Sequence, residues 1–231
     1  MSGTFVVLEG GEGAGKSTQA ALLSRWMDSC GIPHVSTREP GGTGVGEAIR
    51  EIVLGREDLE IPAETELLLI LAARAAFVRK VVAPALEEGK VVLADRFSLS
   101  TLAYQGFGRG LDLDAIRTGI DIATGGVRPD LTLLLDVPTA VGAARQERSG
   151  VGPDRIEREG HAFLDRVQQG YRTLARTEAG VAVVDADGTP EEVQERIRGV
   201  LRARFPETFP GPGVYREASP EGGRGREGAD A

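Results

Sequence analysis

Residues Gly10 to Ser17 read GGEGAGKS, the G-x-x-x-x-G-K-[ST] spacing of a phosphate-binding loop, directly after the apolar run Phe5 to Leu8. Glycines let the backbone fold around phosphates with its N–H groups inward, and a helix starting behind them adds positive potential. The residues expected around the phosphates are Gly10, Gly11, Glu12, Gly13, Ala14, Gly15, Lys16, Ser17 and Thr18. Lys16 would reach the β- and γ-phosphates, and Ser17 would ligate Mg²⁺. The competing reading is a chance turn, since the chain holds 32 glycines. Against it stand the scarcity of lysine among 27 mostly arginine basic residues and the strand-then-helix context.

Two further blocks follow β-rich runs. TREPGGT, Thr37 to Thr43, sets Arg38, Glu39 and Pro40 before a Gly-Gly turn, and ADRFSLSTLAYQG spans Ala94 to Gly106. Asp95 stands where an acidic residue can hold a Mg²⁺-bound water. Arg96 beside it can grip a phosphate in the two-pronged way that lysine cannot. A lone Asp-Arg pair after a strand is usually a surface ion pair, and the phosphate loop in the same chain tips the reading toward a site. Between Val137 and Arg155, VPTAVGAARQERSGVGPDR begins as a helix and breaks into Gly, Ser and Pro among arginines. It reads either as a solvated loop or as a mobile lid, at about 142–156, whose Arg145, Arg148 and Arg155 close over donor phosphates.

The elements that must hold these blocks are legible as five short β-rich runs, Phe5 to Leu8, His34 to Thr37, Val91 to Ala94, Leu131 to Leu135 and Val181 to Val184. Helical patterns alternate with them, at about Lys16 to Ser29, Gly46 to Val53, Ala63 to Glu88, Ser98 to Ala103, Asp112 to Thr124, Thr139 to Glu147, Asp154 to Thr177 and Pro190 to Arg204. Alternation of this kind predicts an α/β fold, a five-stranded parallel sheet with helices on both faces. The strands are near-continuous Val and Leu, as burial on both sides requires. Ligands in such sheets bind beyond the carboxyl ends of the strands, where Glu9, the phosphate loop and both charged blocks fall. From Pro206 the composition turns to Pro, Gly and charge, which predicts one domain over 1–205 and a disordered tail over 206–231.

Bulk properties narrow the partners. A formal net charge of -8 argues against a broad basic face for nucleic acid and fits a small anionic ligand. The single Cys30 excludes an internal disulfide or a thiolate metal site. No apolar run approaches the roughly 18 residues of a membrane span, and the start lacks a signal-peptide pattern, so the expected location is cytoplasmic, with no membrane partner.

These blocks, with RPDLTLLLDVP at Arg128 to Pro138 and DRIE at Asp154 to Glu157, resemble the bacterial thymidylate kinases, which phosphorylate dTMP. The resemblance covers about residues 3–205 and implies a P-loop NTPase fold of the nucleoside monophosphate kinase type, with ATP as phosphate donor and Mg²⁺ as cofactor. It implies that Glu12 holds the 3′-hydroxyl side of the acceptor and Arg96 its phosphate, that Arg74, Ser100, Thr101 and Gln105 surround the deoxynucleoside, and that Tyr104 crowds the 2′ position. Arg38, Pro40 and Asp95 belong to the same expected acceptor site. The family usually has Phe four residues before the arginine of ETELLLILAAR to stack on thymine; this chain has Ile70, which removes the face-to-face component of that contact. The family divides by whether its catalytic arginine lies in the loop or in the lid, and Ala14 assigns it to the lid. The turn DADGTP, Asp185 to Pro190, is either the lining of the donor base or an ordinary turn and helix cap. A homodimer is also implied, with the apolar helix from Leu67 to Phe77 as one candidate face.

The acceptor phosphate has a second pKa near about 6, so a general base is not required; His34 and His161, outside every motif, read as structural or exposed. Two alternatives stand beside this reading: a kinase of another nucleoside monophosphate, and a non-catalytic nucleotide-binding module. The second is opposed by the absence of any asparagine, which a guanine-binding Asn-Lys-x-Asp motif needs, and by the presence of Lys16, Asp95, Arg96 and the lid arginines.

Overall fold

The computed structural model describes residues 3–211 apart from 151 and 153. Its strands are β1 (Thr4–Glu9), β2 (His34–Arg38), β3 (Val91–Asp95), β4 (Leu131–Asp136) and β5 (Val181–Asp185). All pair in parallel, in the order β2-β3-β1-β4-β5. The order reverses at β1, which is flanked by β3 on one side and β4 on the other. Leu8 is in register with Asp95 and Glu9 with Leu134, so the loop leaving β1 opens beside the end of β3. This is the switch point at which open α/β sheets bind ligands.

Burial on both faces explains the apolar runs of β1, β3 and β4; the expected two-sided burial is corrected for the edge strands β2 and β5, which are largely not buried. Val6, Leu8, Leu93, Leu133 and Leu135 pack against α1 (Lys16–Ser29) and α9 (Pro190–Arg204). The alternate residues Phe5, Val7, Val92 and Ala94 face Phe77, Val82 and Phe97. A third cluster joins α3 (Ala63–Phe77), α6 (Leu113–Thr124) and α8 (His161–Thr177) beneath the site. Cys30 is buried and unpaired, and His34 bonds Ser24 Oγ (2.7 Å) and the Ile32 carbonyl (3.0 Å), a structural role. Among the described residues no helix is long and apolar enough to cross a membrane.

Several helix boundaries depart from the sequence pattern. Helix α2 (Gly44–Arg50) starts earlier than expected because the Thr43 hydroxyl accepts from Gly46 N at 2.9 Å, and it continues as a wide π-type turn over Glu51–Gly55. The long pattern after Ala63 is α3, a π-type turn over Val78–Val82, and α4 (Ala83–Glu87). The short α5 (Ser98–Thr101) likewise opens into a π-type turn over Leu102–Gly108. The expected helix from Asp154 is corrected: only a 3₁₀ turn, Glu157–Glu159, precedes Gly160, whose φ of 89° breaks the chain before α8 begins. Helix α7 (Thr139–Ser149) carries the first half of the expected lid.

The expected domain end at 205 is also corrected. Phe209 is 1% exposed and stacks on Trp26 with ring centroids 5.7 Å apart, so the packed chain runs four residues further. Residues 212–231 of the expected tail lie outside the described residues.

Candidate active site

The glycine loop takes its shape from its backbone. Gly15 sits at φ 90° immediately before α1, a conformation that a β-carbon disfavours, and this turns the first N–H groups of the helix into the loop. Lys16, 8% exposed, folds back and donates to the carbonyls of Gly10 (3.1 Å) and Gly11 (2.9 Å). Burial, then the nearby Arg96, holds its pKa below the ordinary lysine value. Ser17 Oγ donates to Asp95 Oδ2 at 2.8 Å, bringing the two expected Mg²⁺ residues together across 78 positions.

Hydroxyl and carboxylate oxygens suit a hard cation. Among the described residues no group of three or more His, Cys, Asp or Glu forms a metal cage, and Mg²⁺ normally completes its shell with water and phosphate oxygens. The donor set at Ser17 and Asp95 therefore fits Mg²⁺ held jointly with a nucleotide.

Arg96 is the only non-glycine residue among those described with positive φ, 73°. Such a backbone costs on the order of 1–3 kcal/mol and persists only where the surroundings hold it. Here its N–H donates to Leu8 O (2.9 Å), and its guanidinium spans Gly10 O (3.2 Å), Ser100 Oγ (3.2 Å), Tyr171 Oη (3.0 Å), Glu12 Oε1 (2.6 Å) and Tyr104 Oη (3.2 Å). Tyr104 Oη also donates to Glu12 Oε1 at 2.6 Å, and the Arg96 guanidinium lies over the Tyr104 ring. The phosphate loop and the DRF block are thus one cluster.

Behind them sits Glu9, fully enclosed. It accepts from Phe97 N (2.8 Å), Ser100 N (3.0 Å), Ser100 Oγ and Tyr171 Oη (3.1 Å). Burial pushes its carboxyl above the ordinary range, and Arg96 and these hydrogen bonds only partly offset that.

A cavity opens from this cluster toward α3. Every expected acceptor residue lines it: Glu12, Asp95 and Arg96 beside the glycine loop; Arg38 and Pro40 from the TREPGGT block; Ile70, Arg74, Ser100, Thr101, Tyr104 and Gln105 around the interior. Arg74, 1% exposed, is held by Glu39 (Nε to Oε2 2.9 Å, Nη2 to Oε2 2.7 Å) and by Phe97 O (3.0 Å). Its Nη1, like Thr101 Oγ1, is buried without a partner in the protein. Buried polar groups of this kind normally find a partner in protein, water or ligand.

A second cavity shares Glu12, Lys16, Ser17 and Arg50 with the first and extends past Thr18 to Arg145, Arg148, Gly188 and Pro190. Arg145 donates to Ala186 O (3.0 Å) and Gly188 O (3.1 Å), tying α7 to the turn after β5. In that turn Thr189 and Glu192 form a capping box on α9, as an ordinary turn and helix cap would, and Gly188 and Pro190 line the second cavity. Arg155 does not join the other two lid arginines. It donates to Val53 O (2.6 Å) and to Glu66 behind the first cavity, so its expected placement over donor phosphates is corrected: a buried carboxylate holds it elsewhere.

Four residues with a place in the site were given no role from the sequence. Tyr171 reaches Arg96 from α8; Arg50 stands where the cavities meet, bonded to Pro40 O at 3.0 Å; Glu66 gathers Gln105, Arg109 and Arg155; Gly142 lets α7 touch the loop. A buried acid in an apolar helix was the one available signal for Glu66.

Comparison with known proteins agrees with this geometry. The thymidylate kinase family model matches residues 8–197. A thymidylate kinase of Synechococcus sp. (strain JA-3-3Ab) is 50% identical over 209 residues, 90% of this chain and 100% of the relative. One from Pseudomonas putida (strain GB-1) is 47% identical, covering 87% and 96%. Among solved structures, thymidylate kinase from Ehrlichia chaffeensis superposes with a TM-score of 0.71 at 29% identity, covering 87% of this chain and all of that one. A family match across most of the length, together with relatives aligned nearly end to end, shows that the chain belongs to the thymidylate kinase family.

Proposed function

We propose that the protein transfers the γ-phosphoryl group of ATP to the phosphate of dTMP, giving dTDP and ADP. The observation that supports this is the pair of cavities meeting at Glu12, Lys16 and Ser17, an arrangement that suits an acceptor and a donor nucleotide end to end at the glycine loop. An acceptor phosphate oxygen forms the new bond to the γ-phosphorus as the bond to the β–γ bridging oxygen breaks. Arg96 holds the acceptor phosphate, and Lys16 and the α7 arginines Arg145 and Arg148 neutralise charge on the transferring group. Ser17 and Asp95 would hold Mg²⁺, which would supply further charge neutralisation when bound. No histidine is needed, because the acceptor phosphate is mostly ionised at neutral pH.

Ile70, 8% exposed, contributes aliphatic contact to the acceptor base. We also place a homodimer contact on α3 and α6, where Leu68 is 65% and Ile122 73% exposed; sedimentation equilibrium at the mass of two chains supports it, and a monomer at micromolar concentration rejects it. The activity is tested by turnover of dTMP, dUMP, dCMP, AMP and GMP with ATP. The proposal requires dTMP to have the highest kcat/KM, and any other ranking rejects the substrate assignment.

A further inference from the structure

Glu66 is fully enclosed on α3 and lies outside the acceptor cavity's lining, yet its carboxylate collects four hydrogen bonds. Gln105 Nε2 donates at 3.0 Å, Arg109 through Nε at 3.1 Å and Nη2 at 2.9 Å, and Arg155 through Nη2. Burial pushes the carboxyl up, and the bonds from Arg109, Arg155 and Gln105 more than reverse this, leaving it below the ordinary value and ionised at neutral pH.

An ionised carboxylate can only accept. Whichever way an amide is drawn, the end of Gln105 that meets Glu66 must be its NH₂ group, because carbonyl against carboxylate opposes lone pairs. That leaves Gln105 Oε1 as the acceptor this residue offers to the cavity it lines. Arg74 in the same cavity offers the opposite character, a buried Nη1 with no protein partner. One acceptor and one donor complement a pyrimidine edge made of a protonated N3 and a C4 carbonyl. Cytosine presents a bare N3 and an amino group, the wrong sign at both positions.

We infer that Glu66 is a positioning residue for base selection: by taking Gln105 Nε2 it fixes the amide so that Oε1 selects thymine or uracil over cytosine. The inference rests on reading this cavity as the acceptor nucleotide site. Arg109 and Arg155 serve it by keeping the buried carboxylate charged.

The test measures kcat/KM with ATP and Mg²⁺ for dTMP, dUMP and dCMP. A glutamine at position 66 can donate or accept, which frees the Gln105 amide to turn. In Glu66→Gln the dTMP-to-dCMP ratio falls by about tenfold or more, while the dTMP-to-dUMP ratio, which reads only the 5-methyl group, stays within about twofold. Adding Glu66→Gln to Gln105→Leu changes the dTMP-to-dCMP ratio no further. Because Glu66→Gln removes a carboxylate shared by two arginines, of which Arg109 keeps its ion pair with Glu159 at 2.6 Å, Arg155→Met is also compared with Arg155→Met/Glu66→Gln, and the same fall is expected between that better balanced pair. A ratio unchanged in both comparisons, a fall that persists without the Gln105 amide, or equal losses on dUMP and dCMP overturns the inference. A wild type that prefers an acceptor other than dTMP overturns the cavity reading and the inference together.

Discussion

Gly13 and Gly142 meet backbone to backbone. A methyl group on Gly13 would be driven into the Gly142 carbonyl, and one on Gly142 would lie 2.6 Å from the Glu12 carbonyl oxygen. The helix carrying Arg145 and Arg148 therefore sits directly on the phosphate loop. In a free helix interior Gly→Ala stabilises by about 1 kcal/mol, through backbone entropy. Here the overlap with a backbone atom wins, so Gly142→Ala is expected to leave Tm no higher and to lower kcat by about tenfold as α7 is displaced. Steady-state kinetics and a thermal melt decide it; a stabilised variant with full kcat shows that α7 is not seated on the loop.

Ser17 and Asp95 act as one oxygen pair at 2.8 Å. Removing either should raise the Mg²⁺ concentration needed for half-maximal activity by about 10–100-fold while the fold persists. Titrating Mg²⁺ against rate for Ser17→Ala and Asp95→Asn, with circular dichroism as control, measures this. Unchanged Mg²⁺ dependence in both variants removes the pair from the metal site.

Arg96→Lys separates charge from shape. The guanidinium reaches Gly10, Ser100 and Tyr171 from one nitrogen and Glu12 and Tyr104 from the other, a fork that an ammonium cannot reproduce. The lysine variant is expected to lose at least about 100-fold in kcat/KM for dTMP, close to the loss in Arg96→Ala. If lysine restores most of the activity, the charge alone suffices and the forked geometry has no role.

Glu9 and Glu66 should respond to pH with opposite signs. The folded pKa of Glu9 is raised above its ordinary 4.5, so the folded state holds the proton longer, and stability falls as pH rises from 4.5 through the folded value. Glu66 is lowered, so its stabilisation is complete above 4.5 and fades as pH drops from there toward the folded value. Glu9→Gln should therefore gain Tm relative to wild type as pH rises through 4.5 and above, whereas Glu66→Gln should lose it as pH rises toward 4.5 from below. Melts at pH 3, 3.5, 4, 5, 6 and 8 give the Glu66 slope below 4.5 and the Glu9 slope above it, and slopes of the same sign refute the assignment.

The strands were legible because β1, β3 and β4 are buried on both faces and must be apolar throughout, and the loop and DRF block because phosphate chemistry restricts both residue type and spacing. Glu66, Tyr171 and Gly142 were not legible for a different reason. Each acts through a contact between segments far apart in the chain, such as the 162 positions between Glu9 and Tyr171, and local pattern carries no record of such a contact. Arg155 misled because basic residues near a glycine-rich break look alike until a buried acid claims one of them.

Phe209 shows the same limit at the end of the domain. Its segment, FPETFPGPG, has the Pro and Gly content of a tail, yet its ring is enclosed between Trp26 and Phe205, with centroids 5.7 and 6.3 Å away. The Arg198 and Arg202 guanidiniums lie over the Trp26 ring, 5.0 and 5.4 Å from its centroid. Truncating a fully buried Phe to Ala costs about 3–5 kcal/mol, from lost transfer energy and the cavity left behind. For a domain of this size each kcal/mol moves Tm by about 2–4 °C, so Phe209→Ala should lower Tm by about 6–20 °C. A chain ended after Arg204 should fall at least as far, because it loses Phe205 as well. Since Phe209 touches neither cavity, kcat at 20 °C should hold for the folded point variant. A point variant that melts with the wild type would return residues 206–211 to the tail.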